Sequence, residues 1–304
     1  MVRRGVVEPV RWVQGRLEIL DQRLLPYHEK YLVCRRVDDV VAAIKTLAVR
    51  GAPLLGVTGA YGMALAKNSP AAAKKLIASR PTAVNLRWAV ERTLQASDPL
   101  AEARRIHAED AEMCDAIARH GAPLLRGKPI LTICNTGALA TGGIGTAFGV
   151  LVKARPPAVY ALETRPLRQG ARLTMWEAEK NGLRAFVIPD GAAAAAIREK
   201  KIRAAIAGAD RIARNGDAAN KIGTFNVALA CHALGVPFYI AAPSSTVDLA
   251  CPNGSAIPIE ERDGSEVSDR FPAWNPAFDV TPARYITAFV TERGILKPGD
   301  IKRL

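Results

Sequence analysis

The sequence of 304 residues lacks the features that mark disulfide-rich and metal-binding proteins. No CxxC pair is present, and no histidine lies at metal-ligand spacing from a cysteine. The cysteines are five in number, at positions 34, 114, 134, 231 and 251. An odd number without paired spacing argues against a disulfide framework and against a zinc site. This pattern is typical of a protein of the reducing cytoplasm that binds no metal.

A targeting or membrane-spanning segment is also missing from the pattern. The amino terminus, MVRRGVVEPVRW, has no long apolar core of the kind found in a secretory signal peptide. Residues 129–152 carry no charge, but they are rich in glycine and threonine and contain an asparagine. This composition favours a buried strand, loop and helix over a membrane span. We therefore expect no membrane partner.

Acidic residues are fewer than basic ones, 29 against 42, and the net charge is +13. The basic residues are scattered, and no run is long enough to form a basic arm. Aromatic residues make up only 6% and do not alternate with the charges, as they would in a single-strand binder. The composition thus favours a basic surface over a nucleic-acid module, and it leaves phosphorylated small molecules as partners.

The part of the chain from residue 121 to 304 alternates short apolar runs with helical patterns. The apolar runs are PILTIC (129–134), AVYALET (158–164), RAFVIPD (184–190), RAAIAGAD (203–210) and PFYIAAP (237–243). Continuous apolar strands joined by helical crossovers indicate a parallel sheet that is covered on both faces. We predict an α/β chain whose C-terminal domain, 121–304, is Rossmann-like.

Residues 1–120 show mostly helical periodicity and predict a smaller, mostly helical N-terminal domain. The helical segments are 37–49, 56–68, 81–96 and 98–120, while RLEILDQ (16–22) and KYLVCR (30–35) predict a small sheet. The stretch HGAPLLRGKP (120–129), rich in glycine and proline, marks the expected boundary between the two domains.

In an open parallel sheet, ligands bind beyond the carboxyl ends of the strands. Chemically active side chains fall at every such end predicted here, namely Cys134, Glu163, Arg165, Asp190, Asp210, Ser244 and Ser245. Cys134 has two interpretations that the pattern leaves open. It is either a small core residue, as free cysteines commonly are, or a thiol polarised by amides of the following NTGALATGG segment.

The stretch GADRIARNGDAANKIGT (208–224) predicts a polar loop between an apolar strand and an amphipathic helix. Such a loop places a carboxylate and backbone amides at the mouth of the sheet. Asn215 and Asp217 within it also suit an ordinary turn. The stretch therefore indicates a site at Asp210 without excluding plain turn formation.

A nicotinamide cofactor is not expected, because the glycines of GGIGTAFG (142–149) fail the GxGxxG spacing at its last position. A phosphate group fits better. Polar residues next to glycine, proline or a helix start would bind it as a set, although each alone suits a surface or a turn: Arg50, Arg80, Gln169, Asn220 and Lys221.

Seven motifs in consistent order resemble the methylthioribose-1-phosphate isomerase family, within the initiation factor 2B alpha/beta/delta-like superfamily. They are VRGAPLLGVTGAYGMAL, RPTAVNL, ILTICNTGALATGGIGTAFGV, ETRPLRQGARLTMWE, GADRIARNGDAANKIGT, VPFYIAAPSSTVDL and IPIEER. The resemblance extends from about Trp12 to the C-terminal region. It implies a homodimeric aldose–ketose isomerase of methionine salvage, without a cofactor, that converts 5-methylthioribose 1-phosphate to 5-methylthioribulose 1-phosphate.

The resemblance also implies roles for individual residues. Cys134 in CNTG and Asp210 in GADR match the family's catalytic pair. The substrate-binding positions that it implies are Arg50, Gly51, Ala52, Arg80, Gln169, Asn220 and Lys221. Nearby Arg87 is the alternative to Arg80. Our hypothesis gives Asp210 the proton transfers at oxygen and Cys134 the transfer at carbon, with an apolar wall raising the pKa of Asp210.

This chain departs from the family pattern at two places. Ile133 stands where a histidine often precedes the cysteine, and Asp190 is followed by Gly-Ala-Ala rather than a bulkier sequence. The departures are compatible with a wider substrate range that includes other 5-deoxypentose 1-phosphates. Two alternatives stay open: a ribose-1,5-bisphosphate isomerase, which needs a second anion site, and a non-catalytic regulatory subunit that binds sugar phosphates.

Overall fold

The computed structural model describes residues 7–81 and 83–304 of the chain. These residues form two compact units, an N-terminal unit (7–114 with 136–145) and a C-terminal unit (115–135 with 146–304). The division between residues 120 and 121, which the glycine- and proline-rich stretch suggests, stays a prediction.

The N-terminal unit combines a three-stranded antiparallel sheet with helices. Its strands, in the order β1-β2-β3, are β1 (Val10–Val13), β2 (Arg16–Leu20) and β3 (Tyr31–Cys34). The helices are α1 (Val37–Lys45), α2 (Ala52–Leu65), α3 (Pro70–Ser79), α4 (Val84–Leu94) and α5 (Pro99–Leu125), whose last residues belong to the C-terminal unit. Residues 54–63 of α2 are all buried. A helix that is apolar on every side becomes the centre of a core, and α2 takes that place here.

The predicted elements of the N-terminal part are confirmed, with ends that shift by a few residues. The helical segments that begin near residues 37, 56, 81 and 98 correspond to α1, α2, α4 and α5. The predicted small sheet corresponds to β2 and β3. Strand β1 and helix α3 were not predicted.

The C-terminal unit is built on a seven-stranded sheet. Its strands are β4 (Ile130–Thr132), β5 (Val159–Leu162), β6 (Ala185–Ile188), β7 (Ala204–Ala207), β10 (Phe238–Ala241), β13 (Ala288–Thr291) and β14 (Gly294–Leu296). A second sheet contains β8 (Arg211–Ala213), β9 (Ala218–Lys221), β11 (Val247–Asp248) and β12 (Phe278–Thr281). The principal helices are α6 (Ala147–Ala154), α7 (Met175–Lys180), α8 (Ala193–Glu199) and α9 (Thr224–Ala233).

The large sheet has the order β14-β13-β10-β7-β4-β5-β6. All neighbours are parallel except β14, which runs antiparallel to β13. The chain starts in the middle at β4, goes outward to β5 and β6, and returns to β7 on the other side of β4. This is the doubly wound order of a Rossmann-like sheet, with its switch point between β4 and β7. The predicted fold class is confirmed.

Helices cover both faces of this sheet, and alternate strand residues face opposite sides. One core cluster joins residues of α6 and α7 to Ile130 and Ile206. Another joins residues of α8 and α9 to Leu131 and Ala207. Burial on both faces explains why the strands read as continuous apolar runs.

The second sheet corrects the expectation for residues 208–224. They form a β-hairpin, β8 with β9, rather than a loop that leads straight into a helix. Its turn uses Asn215 and Asp217 as turn formers, because Asn215 Oδ1 accepts from Asp217 N at 3.0 Å. Strand β12 pairs with β9 and β11 pairs with β8. Since β12 comes from more than fifty residues further along the chain, no local pattern could have predicted this sheet.

Candidate active site

Cys134 and Asp210 follow the two strands that flank the switch point of the large sheet. Cys134 lies two residues beyond β4, and Asp210 lies three residues beyond β7. Strands β4 and β7 are parallel neighbours, with Thr132 opposite Ile206, so their carboxyl ends share one edge. The crevice at a switch point is where open α/β sheets bind ligands. The structure thus brings the two predicted catalytic residues to the same edge.

The backbone at Cys134 is held in an unusual conformation. Its φ is 65°, in the left-handed region that residues with a side chain seldom adopt. Two threonines from outside β4 hold it there. Cys134 N donates to Thr164 Oγ1 at 2.9 Å, and Thr174 Oγ1 donates to the Cys134 carbonyl at 2.6 Å. The Cys134 side chain is 9% exposed, so the thiol is aimed by its backbone rather than by a flexible surface loop.

Asp190 supports Thr164 in turn. The amides of Thr164 and Arg165 donate to the two carboxylate oxygens of Asp190, at 2.8 and 2.6 Å. Thr164 also has a positive φ, 66°, and its hydroxyl donates to the Leu162 carbonyl at 3.0 Å. Asp190 was predicted as one of several strand-end groups around a ligand. Its carboxylate instead fixes the β5 end, which holds Cys134.

A buried polar pair lies behind this edge. Asn135 Nδ2 donates to Glu177 on α7 and, at 3.2 Å, to Thr174 Oγ1. Both Asn135 and Glu177 are buried. The turn that leads into α7 fits closely because residue 170 is glycine: a Cβ there would lie 1.7 Å from the Leu162 carbonyl oxygen. The partners of Asn135 lie 39 and 42 positions further along the chain, so sequence reasoning did not find these contacts.

Ile133, the residue that departs from the family pattern, packs beside the start of α9. It is buried, and its Cδ1 would lie 3.1 Å from a Cβ at Gly223. The position before the thiol therefore contributes an apolar contact. The aliphatic side chain of Ile133 has no group that could exchange a proton with Cys134.

Asp210 differs from its expected environment. The hypothesis placed its carboxyl against an apolar wall, but Asp210 is exposed in the chain. Its amide donates to the Ala219 carbonyl at 2.9 Å. This hydrogen bond fixes the connection between β7 and the β8–β9 hairpin. The neighbouring Arg211 pairs with Asp248 at 3.6 Å. The carboxylate of Asp210 is thus held by its backbone at the sheet edge and is open to solvent.

Gln169 and Lys221 line one small recess in the C-terminal unit, so the structure brings these two predicted residues together. Gln169 is 7% exposed, and its Oε1 has no hydrogen-bond partner among the residues that the structure describes. A buried acceptor without a partner costs about 1–3 kcal/mol. A ligand hydroxyl or amine would satisfy it. Lys221 brings an ammonium group, whose Nζ lies 4.5 Å from the centroid of the Phe278 ring.

Arg165, which the sequence placed at a strand end, also lines this recess. Three further polar side chains line it that sequence reasoning did not assign: Arg262, Glu266 and Asn275. Arg262 Nε donates to Glu266 Oε2 at 2.9 Å, and Asn275 Nδ2 donates to the same oxygen at 3.1 Å. The hydrogen bond from Arg262 holds the pKa of Glu266 below its usual range. For Arg262, the signal in the sequence was the IPIEER motif, which contains it.

Asn220 is buried, and its side chain faces the start of α9 rather than the recess residues. Its Nδ2 donates to Thr224 Oγ1 at 2.9 Å. A carboxylate of this chain, that of Asp279, already lies at the amides of this helix start, and the substrate-binding role of Asn220 and Lys221 stays a prediction. The Asp279 carboxylate accepts from Gly223 N at 2.7 Å and from Phe225 N at 3.2 Å. Burial raises the pKa of Asp279 to about 6.

Arg50, Gly51 and Ala52 lie at the start of α2 in the N-terminal unit. Gly51 precedes the helix with a φ of 96°. A Cβ at Gly51 would lie 2.5 Å from Ala140 Cα, so only glycine fits this close approach. The first-turn amides of a helix attract anions, and Arg50 would add a positive charge beside them. This arrangement suits a phosphate.

Arg80 and Arg87 differ in their surroundings. Arg80 directly follows the last residue of α3 and is half-buried. Arg87 lies on α4, where it is 53% exposed and pairs with Glu91 at 3.6 Å. An exposed ion pair of this kind belongs to a solvated helix face. Arg87 is therefore the less suitable of the two for a ligand, and the choice of Arg80 stays a prediction.

Within the described residues, 7–81 and 83–304, no group of three or more histidine, cysteine, aspartate or glutamate side chains could hold a metal ion. In the same ranges, every helix is too short or too polar to cross a membrane.

The sequence profile of the Initiation factor 2 subunit family matches residues 48–298. A methylthioribose-1-phosphate isomerase of Pelotomaculum thermopropionicum is 46% identical, over 96% of this chain and 92% of that protein. A 5-deoxyribose 1-phosphate isomerase of Moorella thermoacetica is 44% identical, over 96% of this chain and 95% of that protein.

Two crystal structures show the same fold. The 5-methylthioribose 1-phosphate isomerase of Pyrococcus horikoshii OT3 has a TM-score of 0.91 and 36% identity, and the match covers 100% of this chain and 96% of that one. A protein of A. fulgidus described as translation initiation factor eIF-2B, subunit delta, has a TM-score of 0.88 and 35% identity, with 98% and 100% coverage. With a profile match over most of the chain and relatives above 40% identity, the chain belongs to the Initiation factor 2 subunit family.

Proposed function

We propose that the chain is an aldose–ketose isomerase that converts 5-methylthioribose 1-phosphate to 5-methylthioribulose 1-phosphate, a step of methionine salvage. The observation that carries the proposal is the placement of Cys134 and Asp210 at the two strand ends of the switch point. The 46% identity with a methylthioribose-1-phosphate isomerase supports it. Its five free thiols suit a reducing compartment such as the cytoplasm.

The reaction needs acid–base groups rather than an external oxidant. The ring opens when the bond between C1 and the ring oxygen breaks and that oxygen takes up a proton. Hydrogen then moves from C2 to C1, and the C2 hydroxyl loses its proton to become a ketone. One proton is taken up and one is released, and C1 is reduced as C2 is oxidised. No net redox change occurs.

We assign the two oxygen-centred proton transfers to Asp210 and the group beside the reacting carbons to Cys134. An exposed carboxylate can pick up a proton from solvent and deliver it to the ring oxygen. The buried Cys134, fixed by Thr164 and Thr174, contributes a precisely placed group at carbon. Whether hydrogen moves as a proton or as a hydride is answered by deuterium oxide: a proton route incorporates deuterium at C1.

We further propose that the substrate's phosphate binds at the start of α2, through Arg50 and the amides of Gly51 and Ala52, and that Arg80 and Lys221 are substrate-binding residues. Gln169 Oε1 would accept from a sugar hydroxyl, because it is buried and without a partner in the described chain. Asn220 would act by fixing the end of β9, on which Lys221 lies. Each assignment predicts a higher KM when the side chain is shortened.

The decisive experiment is a coupled isomerase assay with the purified wild-type chain. Turnover of 5-methylthioribose 1-phosphate is expected, and it should fall about 10²- to 10⁴-fold in Cys134→Ser and in Asp210→Asn. Cys251→Ser is the matched control, because its hydroxyl can still donate to the Asn253 carbonyl as the thiol does. Near-normal turnover in either site variant would refute the assignment.

Two other substrates are compared in the same assay. The Moorella relative is named for 5-deoxyribose 1-phosphate, which lacks the methylthio group. A similar kcat/KM for both sugars would place the chain among enzymes of wider range. Preferred turnover of ribose 1,5-bisphosphate would instead require a second anion site.

A regulatory subunit is the non-enzymatic alternative, and the A. fulgidus structure, described as an initiation factor subunit, favours testing it. A regulatory chain would bind sugar phosphates, measured by calorimetry, without converting any of the three. We also propose a homodimer, which light scattering of the purified chain would test.

A further inference from the structure

A buried carboxylate that plays no part in the proposed chemistry lies on α5. Asp110 is 6% exposed, and its Oδ2 accepts from Gly142 N at 2.5 Å. Gly142 belongs to residues 136–145, which we call the bracing loop. Burying a carboxylate is costly, so a position that keeps one needs a compensating interaction. The compensating bond here goes to the bracing loop.

The bracing loop lies directly against α5. A Cβ at Gly142 would come within 2.6 Å of His107 Cδ2, and a Cβ at Gly143 within 2.8 Å of Ala111 Cα. The loop therefore has no room to slide along the helix. Its position is set by backbone contact with α5 and by the bond to Asp110.

The start of α2 lies against the same loop. The closest approach joins Gly51 to Ala140, where an added Cβ would lie 2.5 Å from Ala140 Cα. Gln22 also reaches the loop, since its Nε2 donates to the Leu139 carbonyl at 2.7 Å in the interior. The bracing loop is thus fixed between Asp110 and Gln22, and Gly51 packs directly against its residue Ala140.

We propose that Asp110 is a positioning residue for substrate binding. Its carboxylate holds Gly142, which keeps Ala140 pressed against Gly51 and thereby sets the amides of Gly51 and Ala52 for the phosphate. This inference rests on the proposed function, because it assumes that the start of α2 receives the phosphate. Asp110 itself touches no substrate atom.

The groups around Asp110 are compatible with an ionised carboxylate that holds the bracing loop. Burial raises its pKa to about 6, so the carboxylate is charged at neutral pH and its hydrogen bond is charge-assisted. Burial lowers the pKa of His107, whose Nδ1 lies 3.2 Å from Tyr61 Oη. Burial and the nearby Asp110 charge raise the pKa of Cys114 to about 12. Both neighbours are neutral at pH 7, which leaves the Gly142 amide as the partner of the charge.

The test compares Asp110→Ala with Asp110→Asn. Alanine removes the acceptor and frees the loop, so KM is expected to rise about 10- to 100-fold while kcat changes less than about threefold. Asparagine keeps an oxygen that can accept from Gly142 N, so KM should stay within about fivefold of wild type. Asp115→Asn on the same helix is the control, because Asp115 makes exposed ion pairs with Arg119 and Lys153.

A second measurement does not depend on turnover. Amide hydrogen exchange of residues 136–145 should accelerate in Asp110→Ala and stay slow in Asp110→Asn. If the wild type turns over no sugar phosphate, the proposed function fails while exchange still reports the anchor. Unchanged KM in a folded Asp110→Ala protein, or a loss confined to kcat, would overturn the proposal. If Asp110→Ala does not fold, Gln22→Leu releases the loop from its other side and must raise KM instead.

Discussion

Replacing Thr164 by valine tests whether the backbone of Cys134 is what places the thiol. Thr164 is fully buried; its hydroxyl accepts from Cys134 N at 2.9 Å and donates to the Leu162 carbonyl at 3.0 Å. Valine has nearly the same shape, so the change removes two hydrogen bonds without opening a cavity. It is also branched at Cβ, so the strain at a φ of 66° stays the same.

The expected loss follows from these two bonds. A buried amide left without an acceptor costs about 1–3 kcal/mol, and loss of the second bond adds about 0.5–1.5 kcal/mol. We therefore expect the free energy of unfolding to fall by about 2–4 kcal/mol. Release of the left-handed Cys134 would also move its thiol, and a displacement near 1 Å costs about 10²-fold in rate. The KM should change little, because Thr164 touches none of the proposed phosphate ligands.

The assays are urea denaturation and steady-state kinetics on Thr164→Val beside Thr164→Ser. Serine keeps the hydroxyl and loses only a methyl group, so it should retain kcat within about threefold and lose about 1 kcal/mol of stability. Equal kcat in the two variants would refute the view that the Thr164 hydroxyl places Cys134. An equal fall in kcat in both would mean that packing, not hydrogen bonding, fixes the thiol.

Three further predictions concern other contacts. Asp279 has a folded pKa of about 6 against 3.8 unfolded, so the folded state binds the extra proton between these values and its stability falls as pH rises from about 4 to 6. Relative to Asp279→Asn, the wild type should lose about 3 kcal/mol over this window in denaturation curves; a difference independent of pH would contradict the assignment. Gly51→Ala should raise KM at least about tenfold, because alanine is strained at this φ and meets Ala140. Gly127→Ala, also at positive φ but in open space, should leave KM unchanged, and an equal effect would show that packing at Gly51 is irrelevant. Gly170→Ala should cost more than about 3 kcal/mol of stability, checked by thermal melting against Gly127→Ala.

Local pattern was enough for the strands that carry the site. Runs such as 129–134 and 203–210 are apolar throughout because both faces of the sheet are covered, and this signal needs only a few residues. The rule that ligands bind beyond strand ends then pointed to Cys134 and Asp210. Both reached the same edge because β4 and β7 are neighbours, as the doubly wound order requires.

The hairpin at residues 208–224 shows where local pattern was insufficient. Its strands are three and four residues long, and their pairing partners β11 and β12 come from residues 247–281. Polar residues there suggested a loop with an anion site at the start of α9. The fold instead places Asp279 on those amides. The sequence of a helix does not show that a carboxylate from a distant strand will cap its first amides.

By itself, the sequence determined the α/β class and the strand ends and, through its motifs, indicated the pair that we propose as catalytic, since these depend on periodicity and on residues close together in the chain. Only the tertiary structure decided how that pair is held: Thr164 and Asp190 behind Cys134, Asp110 and Gln22 around residues 136–145, and Gln169 beside Lys221. These contacts join positions 26 to 117 residues apart. Hydrogen bonds and close packing act over about 3–4 Å in space, whatever the separation along the chain, and so the support of the site could be seen only after folding.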